Sequence, residues 1–177
     1  MKSKVKTIIA LIGIVLCAAS ISMLFFPAAI SDKLSLSGWN LIYLQFEFRY
    51  GQQPTDVLVL TYGTSIVAVI LVFLLVLGSI FSVASLGQRF ANNKPSAKIF
   101  GIISLVCLIL SAVLFFLLKV TCKLPDNLPD IALPPDFILP DVRKSAFSLG
   151  IGAIIGGITS ILGAACCAIA LFVPTKE

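Results

Sequence analysis

Residues 148–172, SLGIGAIIGGITSILGAACCAIALF, contain no charged residue and repeat small side chains at a fixed spacing. Residues four apart share one face of an α-helix, so the stretch predicts a helix with one smooth face. Such a face allows a second helix to approach closely in a membrane, where van der Waals contact drives association. We therefore predict a helix-packing surface made of Ser148, Gly152, Gly156, Ser160, Ala164 and Ala168. Two interpretations of this surface stay open: packing within one bundle, or contact with a second copy or a partner subunit.

The rest of the chain has the same apolar character. It is 59% hydrophobic and 12% charged, whereas soluble domains are about 25% charged. Four runs lack charge, residues 7–31, 57–88, 99–118 and 145–175. A helix needs about 20 apolar residues to cross a bilayer, and each run is long enough. The predicted fold class is all-α, a four-helix transmembrane bundle running up-down-up-down, with helices at about 7–30, 57–86, 99–121 and 146–173.

Basic residues predict the orientation of this single integral membrane domain, 1–177. Lys2, Lys4 and Lys6 precede the first helix, and the connection 87–98 is densely basic. The net charge is +5, and we interpret the basic residues as anchors beside anionic lipid. Each such residue contributes about 1 kcal/mol to binding at the membrane surface. We predict a multi-pass protein of the cell (plasma) membrane with both termini and the loop 87–98 cytoplasmic. The external loops are then 31–56 and 122–145.

The first run also has features of a signal peptide, because MKSKVK precedes TIIALIGIVLCAAS. The apolar stretch continues to Ile30, well past the ~7–15 residues of a signal-peptide core. We expect an uncleaved first transmembrane helix. Cleavage near Ala19 or Ser20 is the alternative, and it would leave three helices.

The first external loop alternates apolar and polar residues from Leu44 to Tyr50, which is typical of a β-strand. Leu34 and Leu36 alternate with serines, and a turn at Gly38-Trp39-Asn40 is compatible with a small β-hairpin. The loop is interpreted as an amphipathic cap on the bundle or as a docking strand for another protein. Its candidate partner-binding residues are Trp39, Tyr43, Phe46, Phe48 and Tyr50.

The second external loop contains KLPDNLPDIALPPDFILPDVRK, residues 123–144, in which a leucine-proline-aspartate phrase recurs. Each proline disfavours helix for the residue before it, so the segment predicts a stiff, extended strap. Its aspartates form either the solvated face of that strap or a partner-binding surface. A calcium site is disfavoured, because the segment has no glycine for a tight turn. The four candidate residues are Asp126, Asp130, Asp136 and Asp141.

Several residue types that carry chemistry are absent from the sequence. There is no histidine, and no Asp or Glu lies inside the four apolar runs. Proton relays and general acid–base catalysis use ionisable groups at depth, so we predict no enzyme activity. No motif for phosphate, metal or nucleic acid is present, and we predict no cofactor, metal or nucleic-acid partner. Four of the five cysteines lie in the apolar runs, where we expect them to pack as small hydrophobes.

Three segments carry a resemblance to a known group of proteins. The Lys-rich start, SGWNLIY (37–43) and NNKPSAK (92–98) resemble uncharacterised small four-helix (tetraspan) membrane proteins of Gram-positive bacteria. The resemblance implies a multi-pass layout and brings no known activity. The topology is also similar to that of claudin-type tetraspans. Those proteins carry a cysteine pair in a longer first loop, whereas this chain has Trp39 and no cysteine in that loop.

Three functions fit these observations. The first is a non-enzymatic scaffold or accessory subunit that associates through the fourth helix and the external loops. Its partners are the lipid bilayer and either a second copy or another membrane protein. The second is an oligomeric channel lined by Thr61, Thr64, Ser65, Ser79, Ser82 and Ser85. The third is a lipid or small-molecule carrier whose cavity is lined by Ile155, Leu162, Phe73, Phe81 and Phe115.

Overall fold

The computed structural model describes residues 3–31, 34–43, 45–49, 57–61, 65–91, 93–121 and 148–173. The helices are α1 (Ser3–Ser22), a short α2 (Gly38–Ile42), α3 (Ile66–Phe90), α4 (Lys94–Thr121) and α5 (Ile151–Phe172). The strands are β1 (Pro27–Ser31), β2 (Leu34–Ser37), β3 (Gln45–Arg49), β4 (Val57–Thr61) and β5 (Ser148–Leu149). Within these ranges four helices are long and apolar enough to cross a membrane, namely α1, α3, α4 and α5. The predicted all-α four-helix bundle is confirmed, and the chain is a multi-pass membrane protein in contact with lipid.

The four long helices form a ring in which each packs against two others. Helix α1 contacts α3 and α5, and α4 contacts the same two helices. The end of α3 meets the end of α5, where Arg89 Nη2 donates a hydrogen bond of 2.9 Å to the carbonyl of Ala170. The last part of α3 also meets the first part of α4, where Ser85 donates to the carbonyl of Ala97, and the start of α5 meets the turn that follows α1. These contacts show that successive long helices run in opposite directions.

The first helix ends earlier than the predicted residue 30. Helix α1 stops at Ser22, and a 3₁₀ turn covers Met23–Phe25. Proline disfavours helical backbone for the residue before it, and Phe26, which precedes Pro27, has φ −91° and ψ 163°. The apolar run continues past this point, but residues 27–31 form β1.

The second helix starts later than the predicted residue 57. Residues 57–61 form β4, and α3 begins at Ile66. Ser65 caps α3, because its hydroxyl accepts a hydrogen bond from the backbone N–H of Ala68 at 3.3 Å. An apolar run alone does not distinguish a strand from a helix. The predicted start of the helix at residue 57 was wrong for this reason. Helix α3 continues to Phe90, past the predicted residue 86.

The other two long helices also differ from prediction at their first residues. Helix α4 begins at Lys94 rather than 99, with Pro95 in the first turn, where proline needs no hydrogen-bond partner. Helix α5 begins at Ile151 rather than 146. The residue before it, Gly150, is extended, and its N–H donates to the carbonyl of Ala28 at 2.9 Å.

The first connection contains two antiparallel strand pairs instead of one hairpin. Strand β3 lies where alternation predicted a strand, but it pairs with β4, with Gln45 opposite Thr61 and Arg49 opposite Val57. Strand β2 pairs with β1, which also pairs with β5. The predicted turn at residues 38–40 is the first part of α2. The prediction missed the pairing because both partner strands lie inside apolar runs assigned to helices.

The largest apolar core lies at the sheet end of the bundle. Leu24 of the 3₁₀ turn, Leu71 of α3 and Phe115 of α4 are almost fully buried there. A smaller cluster at mid-height contains Cys17, Leu108, Ala164 and Cys167. The cysteines are buried among apolar side chains, as small hydrophobes are.

The junction between β1 and α5 gives the first prediction. A Cβ on Gly150 would collide with the carbonyl of Pro27. Gly150→Ala should therefore lower the free energy of unfolding by ~1–3 kcal/mol, the usual cost of overpacking. Thermal unfolding in mild detergent measures the change.

Gly87→Ala is the matched control, since no atom lies within 4 Å of a Cβ at this helical position. It should leave stability unchanged or raise it by up to about 1 kcal/mol through helix propensity. Equal melting temperatures for Gly150→Ala and Gly87→Ala would contradict the close approach.

Candidate functional site

The inner face of α5 is covered by other parts of the same chain. At its start, a Cβ on Gly152 would lie 2.7 Å from the carbonyl oxygen of Met23 and 2.8 Å from that of Phe26. The 3₁₀ turn that ends α1 therefore rests directly on the backbone of α5. Only a residue without a side chain fits there.

One turn further on, two glycines face two phenylalanines of α4. A Cβ on Gly156 would lie 2.6 Å from Phe115 Cε1, and one on Gly157 would lie 2.7 Å from Phe116 Cζ. Phe115 is fully buried. The rings of the two phenylalanines therefore pack into the space left by the two glycines, which have no side chains. The sequence contained both pairs, but did not reveal that they meet.

The middle of the face carries hydroxyl groups that join α5 to α1. Ser160 donates a hydrogen bond to Ser20 Oγ at 3.2 Å, and Ser20 Oγ lies 2.8 Å from Thr159 Oγ1. Ser20 and Ser160 are both fully buried. Hydrogen bonds between membrane helices contribute about 0.6 kcal/mol each on average. Sequence reasoning identified Ser160 as a small residue, but not its hydroxyl partner.

The remaining residues of the predicted six-residue surface have different surroundings. Ala164 is buried, in the cluster with Leu108 and Cys17. Ala168 is half-buried and lines an outward groove between α4 and α5. Ser148 does not lie on the helix at all. It is in β5, where its hydroxyl donates to the carbonyl of Ile30 at 3.0 Å. A four-residue interval defines one face only within a helix, and Ser148 precedes the first residue of α5.

An outward groove lies beside α5, on the side away from its buried inner face. It has a volume of about 460 Å³ and lies between α4 and α5. Alanines at 112, 164, 165 and 168 leave the space, while Phe116 and Ile161 are among the larger lining residues. The volume is in the range of ligand pockets, but the lining is almost wholly apolar. Such a groove has no polar group that would orient a polar substrate.

The candidate partner-binding residues of the two external loops lie at the sheet end of the bundle or outside the described residues. Trp39 is half-buried against the sheet-end core, with its ring centroid 5.6 Å from that of Phe25. No described acceptor is within hydrogen-bond reach of Trp39 Nε1. Tyr43 is exposed. Phe46 and Phe48 belong to β3. Residues outside the described ranges are Tyr50, Asp126, Asp130, Asp136 and Asp141.

The serines suggested as a channel lining form contacts within the bundle. Ser79 and Ser85 donate to backbone carbonyls, of Leu75 at 2.8 Å and Ala97 at 2.7 Å. Ser82 Oγ lies 3.8 Å from the Cys167 sulfur. Ser65 caps α3, and Thr61 is in β4 rather than on a helix. Thr64 lies outside the described residues.

The residues suggested as a carrier cavity do not surround one space. Phe115 is fully buried against Gly156, whereas Phe73, Ile155 and Leu162 are exposed on the outer surface. Phe81 stacks on Phe100 at 5.8 Å. The interior that this hypothesis left open is filled by Phe115.

The described interior contains serine hydroxyls that hydrogen-bond to backbone carbonyls of the bundle. Ser104 donates to the carbonyl of Gly78 at 2.8 Å, and Ser111 to that of Cys107 at 2.8 Å. No group of three His, Cys, Asp or Glu residues that could hold a metal exists among the described residues. The hydroxyl of Ser104 joins α4 to α3, whereas that of Ser111 bonds within α4.

Comparisons with known proteins add no relationship. No family model, curated protein or solved structure matches the chain. The class is therefore defined by the fold alone, a multi-pass membrane protein with four apolar helices.

The contact between Gly156 and Phe115 gives the second prediction. Gly156→Ala should lower the free energy of unfolding by ~1–3 kcal/mol, because the new methyl group overlaps the ring. Phe115→Leu in the same chain should recover part of that loss. A double-mutant cycle in detergent, read by thermal unfolding, isolates the coupling, which we expect at 0.5 kcal/mol or more, the usual minimum for touching residues.

Gly163→Ala provides the control for this cycle. Its nearest atom would be Leu108 Cδ1 at 3.6 Å, an ordinary van der Waals distance. We expect no loss of stability at Gly163, and additive effects of Gly156→Ala and Phe115→Leu would show that the two residues do not touch.

Proposed function

We propose that the protein is a non-enzymatic scaffold or accessory subunit that binds a transmembrane helix of another membrane protein. The observation that carries this proposal is the α4–α5 groove. Its α5 side is formed by Ile161, Ala164, Ala165 and Ala168, on the same helix that the sequence predicted to mediate association.

The groove suits a helix better than it suits a polar ligand. Lipid tails are as apolar as leucine, so burial alone does not attract a helix to this face. Alanines allow a helix backbone to come close, and close contact is the main source of association energy in a bilayer. The inner glycines of α5 are occupied by this chain's own residues, and association therefore uses the outward face.

Photo-crosslinking in native membranes tests the proposal. A photoreactive amino acid in place of Ile161, on the groove, should form an adduct with one protein identified by its peptides. The same probe in place of Val15, exposed on α1, should not. Ala165→Phe fills the groove and should abolish the adduct, whereas Ala18→Phe on α1 should leave it intact.

Each other outcome overturns the proposal. An adduct between two copies of this chain would establish a homo-oligomer in place of an accessory subunit. Adducts with lipid alone would show that the groove is a lipid-contact surface, and would favour the carrier function. Adducts of equal yield at residues 161 and 15 would show no binding surface.

The same proposal includes a plasma-membrane location with both termini in the cytoplasm, for which the basic residues at the ends of α1, α3 and α4 are the support. With Cys122 replaced by serine, Lys94→Cys should resist a membrane-impermeant maleimide in intact cells. Tyr43→Cys, exposed at the opposite end, should react. The reverse pattern would invert the topology.

A further inference from the structure

Three basic residues on three different helices lie at the same end of the bundle. Lys6 is in the second turn of α1, Arg89 is in the last turn of α3, and Lys98 is near the start of α4. Arg89 lines a small cavity together with Ala10, one turn beyond Lys6 on α1, and Gly101, one turn beyond Lys98 on α4. Lys6 and Arg89 are half-buried, and Lys98 is exposed. We call Lys6, Arg89 and Lys98 the basic cluster.

Arg89 is fixed in position by the fourth long helix. Its Nη2 donates a hydrogen bond of 2.9 Å to the carbonyl of Ala170, near the end of α5. A helix C-terminus carries a partial negative charge, which favours a cation there. The guanidinium has further N–H donors beyond the one that bonds Ala170, and its planar fork matches a phosphate.

No described carboxylate neutralises the basic cluster. Glu47 is the single acidic residue within the described ranges, and it lies on β3, which contacts α2 and β2 at the opposite end of the bundle. Like charges close together repel one another, and binding an anion relieves that repulsion.

The surroundings of the basic cluster point to a lipid rather than to a free ion. Each of its residues is next in sequence to an exposed apolar residue: Val5 beside Lys6, Phe90 beside Arg89 and Ile99 beside Lys98. All lie at the ends of membrane-spanning helices. The cavity beside Arg89 has a volume of about 10 Å³, close to that of one water, so a ligand binds on the outer side.

We propose that Lys6, Arg89 and Lys98 together bind the phosphate headgroup of an anionic phospholipid, whose acyl chains lie along the adjacent apolar residues. The site is built from three helices and positioned by a fourth. It is distinct from a general attraction of basic residues to the membrane surface, because it requires these three side chains and not their neighbours.

Native mass spectrometry of the full chain tests the site. The protein is released from micelles containing equal amounts of phosphatidylglycerol and phosphatidylcholine, and the retained lipid is counted. We expect wild type to retain phosphatidylglycerol selectively. Lys6→Gln or Lys98→Gln should each reduce that preference about fivefold, the equivalent of ~1 kcal/mol per basic residue. Neither side chain has a described hydrogen bond, so both variants should fold.

Arg89 supplies the geometric part of the test. Arg89→Lys keeps the charge but loses the fork, and it should reduce the preference less than Arg89→Gln does. Lys94→Gln is the matched control, since Lys94 is exposed at the same end and the residues of α4 within one turn of it do not line the cavity beside Arg89. It should leave the preference unchanged.

Three results would overturn the proposal. An equal loss in Lys94→Gln and Lys6→Gln would mean a diffuse surface effect. Displacement of phosphatidylglycerol by inorganic phosphate would identify a free anion as the ligand. Absence of selective retention by wild type would show that the cluster is neutralised in another way. None of these results bears on the groove between α4 and α5.

Discussion

Close approach to the backbone of α5 is the constraint on which the rest of the bundle depends. Gly150 and Gly152 lie against backbone carbonyls of the segment that follows α1, and Gly156 lies against the ring of Phe115 from α4. In lipid, apolar burial does not favour one helix partner over another, so the sum of many close contacts decides which helices meet. A side chain at any of these positions would hold α1 or α4 away from α5, and with it β1, which pairs with β5 at the same place.

Polar contacts supplement this packing and explain why the interior carries so many serines. Ser20 and Ser160 join α1 to α5, Ser104 and Ser85 join α4 and α3, and Arg89 joins α3 to α5. In a bilayer no water competes for these groups, so a carbonyl on a neighbouring helix becomes the available acceptor.

The four-helix class could be predicted from run length alone, because a bilayer allows few structures for an uncharged stretch of 20 residues or more. The ends of the helices could not. Pro27 stops α1 inside an apolar run, and residues 57–61 are as apolar in a strand as they would be in a helix. Strand pairing depends on contacts distant in sequence, and the alternation at residues 45–49 did not reveal that β4 was the partner.

The candidate surfaces were predictable to a smaller extent, for the same physical reason. The four-residue spacing placed Gly152 and Gly156 on one helix face. A sequence pattern does not say which side chains of other helices contact that face. Phe115, which contacts Gly156, and Ser20, which contacts Ser160, were therefore not predicted as partners. Ala164 and Ala168 line the groove between α4 and α5, and Ala164 also packs in the cluster with Cys17 and Leu108. Likewise, Lys6 is far in sequence from Arg89 and Lys98, and the three lie at one end of the bundle because successive helices are antiparallel. Alternation of helix direction thus brings these three basic residues to one end of the bundle and both strand pairs to the other. Each end therefore combines residues from several segments of the chain.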